Sequence, residues 1–141
     1  MEVINQAEPR FRYLQDTICE PLFAMLREIN EVEKNAVHGD FADFAASLRN
    51  IVSKKCTAKL LAKGYGNCIH QPVKYRWVDT EDCVVIFRMD KPKRAIIEAS
   101  FKVGTQDTKH RFTLIKQGEE WLVDAFSYWS TYDEVWHRGG I

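Results

Sequence analysis

No stretch of this chain approaches the ~20 consecutive apolar residues needed to span a bilayer, and no basic segment followed by an apolar core opens it. Met1 to Arg10 is polar and carries Glu2, Glu8 and Arg10, so no export signal and no membrane partner are expected, and a cytoplasmic location is. Net charge is missing as well. The 20 Lys and Arg balance 20 Asp and Glu, which argues against a broad basic face for nucleic acid. The four cysteines, Cys19, Cys56, Cys68 and Cys83, form no Cys-x-x-Cys pair and read as free thiols packed as small hydrophobes. Cys68 and His70 lie two apart and Cys56 offers a third zinc ligand, but the spacing is not that of a finger or ribbon, so no metal is expected.

Catalytic signatures are equally scarce. There is no Gly-rich phosphate loop, no Gly-x-Ser-x-Gly and no His-Glu-x-x-His. His38 sits between helical segments, His70 and His110 flank strands, and His137 is near the end. In those places each reads as a polar surface or edge residue, not a general base. Neither enzymatic activity nor a cofactor is expected. No internal repeat and no low-complexity stretch occurs.

What is present suits one globular domain. Of 141 residues, 45% are hydrophobic, 12% aromatic and 28% charged, enough to bury roughly two-thirds of the unfolded surface. Phe11, Leu14, Ile18, Leu22, Met25, Ile29 and Val32 recur at steps of three and four, the stripe of an amphipathic helix. Pro9 suits its first turn, whereas Pro21 interrupts it and predicts a kink or a junction. Asp40 predicts the N-cap of a second helix carrying Phe41, Phe44, Leu48, Ile51 and Val52. Helix returns over Thr57 to Lys63, stops at Gly64, and a loop runs to Pro72.

Beyond Pro72 the alternation predicts strands at Val73 to Val78, Cys83 to Met89, Ala95 to Val103, His110 to Lys116 and Trp121 to Trp129. Their short connections predict an antiparallel meander. Helices first and then such a sheet make an α+β domain over 1–141.

The run Arg111-Phe-Thr-Leu-Ile-Lys-Gln-Gly-Glu-Glu-Trp-Leu-Val-Asp124 resembles the closing hairpin of nuclear transport factor two-like domains. That resemblance implies a cone, with helices packed into the concave face of a strongly bent sheet. A narrower likeness covers roughly residues 50–141. Cys56-Thr57-x-Lys59, Gln71-Pro-Val-Lys-Tyr75, Asp79-Thr-Glu-Asp82, the hairpin, and the ending Val135-Trp-His-Arg-Gly-Gly-Ile141 occur in order. Together they resemble immunity proteins of this fold found beside polymorphic toxins in bacteria. The likeness departs at Pro72, where that family often has two prolines. It implies a protein that binds and neutralises a cognate toxin acting in the cytosol, without chemistry of its own.

The same fold hosts isomerases and dehydratases, in which a carboxylate and hydrogen-bond donors converge to move a proton. Candidates for such chemistry are Asp79, Asp124, Tyr75, Tyr128 and His110. Asp124 alternates with Trp121, Val123 and Ala125, which predicts a solvated carboxylate on the outer face. Tyr75, Trp77, Phe101, Phe112 and Trp121 either line a ligand pocket or are simply core.

Three features favour a protein partner. The Cys83 to Met89 strand is apolar on both faces. Tyr128, Trp129, Tyr132 and Trp136 concentrate aromatic residues late in the chain, the usual anchors of interfaces. Charge is clustered, with Asp79, Glu81, Asp82, Asp133 and Glu134 acidic. An acidic loop can mimic phosphate in a basic cleft. A homodimer through the sheet would use some of the same features, and the sequence alone does not separate the two.

Overall fold

A computed structural model describes residues 1–36 and 39–141, so His38 lies outside the described residues. The architecture is α+β, with helices followed by a six-stranded sheet that does not close into a barrel. After strand β1 (Glu2–Asn5) and a 3-10 helix (Pro9–Leu14) come helices α1 (Gln15–Ala36), α2 (Phe41–Val52) and α3 (Ala58–Leu61). Strands β2 (Val84–Lys91), β3 (Arg94–Val103), β4 (Gln106–Gln117), β5 (Glu120–Ser130) and β6 (Trp136–Gly139) follow. Their order in the sheet is the order of the chain, so β2 to β6 form an antiparallel meander, with β1 parallel to β2 at one edge. Among the described residues no helix is long and apolar enough to cross a membrane.

Local chemistry explains the helix ends. Asp40 Oδ1 accepts from Ala42 N at 2.8 Å, occupying one of the free amides of α2. Thr57 caps α3 through its hydroxyl, and Gly64 takes φ of 100° just beyond it. α1 continues as one helix through Pro21, so the junction expected there as the alternative to a kink is displaced. It lies instead where the 3-10 helix becomes α-helix, after Leu14.

The core lies between the helices and one face of the sheet. The register aligns Val85, Ala99 and His110 in one row and Phe87, Ile97, Phe112 and Phe126 in the next. All of these are buried, and all but His110 belong to one apolar cluster with Ile18, Leu22, Met25, Leu26 and Leu48. Alternate residues form the outer rows, Ile4, Ile86, Glu98, Arg111, Ser127 and Arg138 in one, and Val84, Ser100, Lys109, Trp129 and Trp136 beside it.

Four expectations need correction. Val73 to Val78 is not a strand: it is loop ending in a 3-10 helix, Arg76–Asp79. Trp77 and Val78 are both buried under α1, and side chains of that helix supply the hydrogen bonds a neighbouring strand would give. Two short strands escape the pattern, β1 and β6, because four residues are too few to show a period. The register of β5 shifts between its pairing with Thr113 and with Leu114, leaving Asp124 as a bulge. Val123 and Phe126 therefore both face the core, and Asp124 is half-buried, not freely solvated. Its carboxylate accepts from Thr57 Oγ1 at 2.8 Å and pairs with Lys59 Nζ at 3.3 Å, fastening α3 to the bulge. Lastly, His110 is not an edge residue but is buried within β4.

Candidate partner-binding rim

Strand register decides which loops become neighbours. Val84 pairs with Ser100, Ser100 with Lys109, Lys109 with Trp129 and Trp129 with Trp136. The loop before β2, the β3–β4 turn and the β5–β6 turn therefore share one end of the sheet. At ~4.8 Å per strand, β2 and β5 stand ~14 Å apart there. Thr131 Oγ1 ties the last turn to the middle one by donating to Asp107 O at 2.6 Å.

This rim gathers the acidic residues singled out above. Asp79 ends the 3-10 helix and Glu81 and Asp82 follow in the first loop, all exposed, as are Asp133 and Glu134 in the last turn. Asp107 between them pairs with Lys102 at 3.3 Å. Asp79 accepts from Arg27 Nε at 3.0 Å, an exposed pair that orients the loop while adding little stability. Among the described residues Tyr132 is the most exposed large hydrophobic side chain at 92%, and Val103 and Val135 are exposed at the same end of the sheet. Glu134 holds φ of 57°, a left-handed conformation that an L side chain adopts only at a cost. The turn around it is closed by Glu134 N donating to Ser130 O at 2.9 Å and by contact of His137 with Asp133.

The remaining aromatic candidates divide between the two faces. Tyr128 stacks on His137, ring centroids 5.1 Å apart, in the row that continues the inner face. Trp129 and Trp136 are neighbours on the outer face. Lys109 lies 5.4 Å above the Trp129 ring and the Arg111 guanidinium 3.8 Å above that of Trp136. Arg111 is itself held by Glu98 Oε2, which accepts from its Nε and Nη2 at 3.2 Å and from Arg88 Nη1 at 3.4 Å.

Inside the rim, a cavity of about 510 Å³ runs down to Trp77 and His110, past Arg76, Asp82, Phe101 and Lys102. Its floor has a defined protonation state. Trp77 Nε1 can only donate, and it lies 3.0 Å from His110 Nδ1, so that nitrogen is the bare one and Nε2 carries the hydrogen. Burial, with the charges of Lys74 and His70, pushes the His110 pKa down to about 3. His110 is thus a neutral imidazole at physiological pH.

Of the candidates for proton transfer, Tyr128 is the cross-strand neighbour of His110, and the rings of Tyr75 and His110 are 5.7 Å apart. Burial raises the Tyr75 phenol well above its ordinary pKa, so both partners are neutral. Asp79 is on the rim and Asp124 on the bulge. Tyr75, Trp77, Phe101 and Phe112 do converge, together with Phe126, and pack ring against ring. Trp121 lies apart, lining a cavity of about 200 Å³ against Ile18, Leu22 and Met25 of α1.

Sequence reasoning did not foresee the roles of Asn30, Glu33 and Glu98. Asn30 and Glu33 occupy positions of α1 where a polar residue reads as solvated, and Glu98 one of β3. Only their burial shows that each serves several donors. No family model, no curated protein and no solved structure matches the chain.

Proposed function

We propose that this chain binds a partner protein and neutralises it, as an immunity protein does a bacterial toxin acting in the cytosol, performing no chemistry on that partner. The observation that carries the reading is the convergence of two acidic segments, separated in sequence by some fifty residues, on one rim with an exposed tyrosine. Carboxylates around an aromatic anchor complement a cationic cleft of the kind that holds phosphate groups. The toxin as partner, and with it the cytosol as the place of action, rests on the motif series from Cys56 to Ile141. The finer fold is the nuclear transport factor two-like cone, supported by helices packed on one face of a sheet of meandering strands.

Two features bear on the rival readings. The cavity inside the rim and the neutral donor at its floor favour a small-molecule binder of the isomerase or dehydratase kind. Half-buried Val84 and Ile86 beside exposed Ile4 on the outer face suit a homodimer through the sheet. Neither is incompatible with the rim serving a partner.

The test is affinity for the partner after substituting the rim. Replacing Asp79, Glu81 and Asp82 together by Ala, and separately Tyr132 by Ala, weakens the complex at least about tenfold each on this account. Unchanged affinity in both variants removes the rim as the binding surface.

A further inference from the structure

The loop 64–72, whose His70, Gln71 and Pro72 also line the cavity inside the rim, carries a side-chain relay that the partner-binding reading leaves unused. Cys68 Sγ lies 3.5 Å from His70 Nε2, and His70 Nδ1 lies 2.6 Å from Glu33 Oε2. Glu33 projects from α1 and is buried, and its oxygens also accept the backbone N–H groups of His70 and Lys74, each at 2.9 Å. The carboxylate therefore fixes both the backbone and the ring of His70. It accepts a hydrogen from Nδ1, which leaves the lone pair of Nε2 facing the thiol. A thiol, an imidazole presenting a basic nitrogen and a carboxylate orienting that imidazole are the parts of an activated nucleophile.

The other thiols have no such surroundings. Cys19, Cys56 and Cys83 are buried, and burial pushes them up to about 12, 12 and 11. Cys68 alone is exposed. It opens on a cavity of about 180 Å³ that Lys63, Lys74 and Tyr75 also line. Tyr75 is wholly buried and its phenol oxygen finds no hydrogen-bond partner in the protein, a state that a bound polar group would relieve. Lys63 and Lys74 outnumber the one acidic side chain in the lining, Glu33, whose oxygens His70 and the Lys74 N–H already engage, so with the unpartnered phenol hydroxyl they suit a ligand bearing carboxylates.

We propose that Cys68 is a nucleophilic thiol that exchanges with small anionic disulfides, with His70 as its base and Glu33 as the residue that positions His70. His70 Nε2 takes the thiol proton and the Cys68 sulfur attacks one sulfur of the incoming disulfide. The Cys68–S bond forms as the S–S bond of the disulfide breaks, and the departing thiolate recovers the proton from His70. The product is a mixed disulfide on Cys68 and one free small thiol, with no other oxidant consumed.

The experiment follows adduct formation on the intact chain by mass spectrometry, with oxidised glutathione as the anionic probe and cystamine as the cationic one. At neutral pH an unassisted thiol is only a few per cent ionised, so glutathione should add to Cys68 about tenfold faster in the folded chain than in the chain unfolded by guanidinium. His70→Ala should bring the rate down to the unfolded value, and added imidazole should restore part of it. Cystamine should react more slowly than glutathione. In nitrogen NMR the native His70 should carry its hydrogen on Nδ1, and Glu33→Gln should abolish that preference and slow the reaction. Equal rates in folded and unfolded chains, or a His70→Ala rate unchanged from native, overturns the activated thiol. Cystamine reacting as fast as glutathione overturns the anionic ligand, and an unaltered His70 tautomer in Glu33→Gln overturns the role of Glu33.

Discussion

The side-chain amide of Asn30 pairs in both directions with the backbone of Tyr75: Nδ2 donates to Tyr75 O at 2.9 Å and Oδ1 accepts from Tyr75 N at 3.2 Å. One residue of α1 thus does for Tyr75 what a neighbouring strand would do. It explains why the aromatic segment after Pro72 folds under the helix instead of joining the sheet. Asn30→Ala leaves a buried carbonyl and a buried N–H without partners, at ~1–3 kcal/mol each. Denaturant unfolding should show a loss of about 3 kcal/mol. Asn30→Asp keeps the acceptor but sets an oxygen against Tyr75 O, and should lose at least as much.

Acid sensitivity should follow from His110. In the folded chain its pKa lies at about 3, against 6.5 when unperturbed. Below pH 6.5 the unfolded chain takes up a proton that the folded chain refuses. The stability due to a neutral His110 is therefore complete above that pH and is lost as pH falls toward 3, at about 1.4 kcal/mol per pH unit. His110→Gln keeps an oxygen to accept from Trp77 Nε1 and cannot titrate. Stability against pH should be flatter in the variant by one proton, most clearly between pH 6.5 and 5, where few carboxylates titrate.

Glu134 offers a separation of stability from binding. Its left-handed backbone would suit glycine better, so Glu134→Gly should raise stability by up to about 1 kcal/mol. The same change removes a rim carboxylate and should weaken the partner complex. Denaturant midpoint and binding titration, measured on one sample, should move in opposite directions.

On the outer face, Arg111 stands over Trp136 while Glu98 holds it in place. A double-mutant cycle of Arg111→Ala and Trp136→Ala should give a coupling of about 1 kcal/mol toward stability. Additive effects would mean that the stacking contributes nothing beyond each side chain's own burial.

Much of this fold was legible from period alone. The stripes of α1 and α2, the Asp40 cap, the Gly64 stop and the β3–β4 and β4–β5 hairpins rest on local chemistry repeated over many residues. What escaped depends on residues far apart in sequence. β1 finds its partner only in β2, the bulge at Asp124 is answered by Thr57 and Lys59, and Tyr75 is claimed by Asn30. The same holds for the site. The acidic and aromatic residues of the rim stand out in the sequence, but only strand register shows that loop and turn share one end. Cys68 and His70 stand out as a pair two apart, whereas nothing near them announces Glu33.

The central claim is neutralisation of a partner, and its most direct measurement is survival on co-expression. A host is given the protein encoded immediately upstream of this chain, alone and then together with it. The account predicts that the neighbour alone kills, that co-expression restores growth, and that the two proteins purify as one complex. A neighbour that is harmless alone, or one that still kills when this chain is present at equal amount, would contradict it.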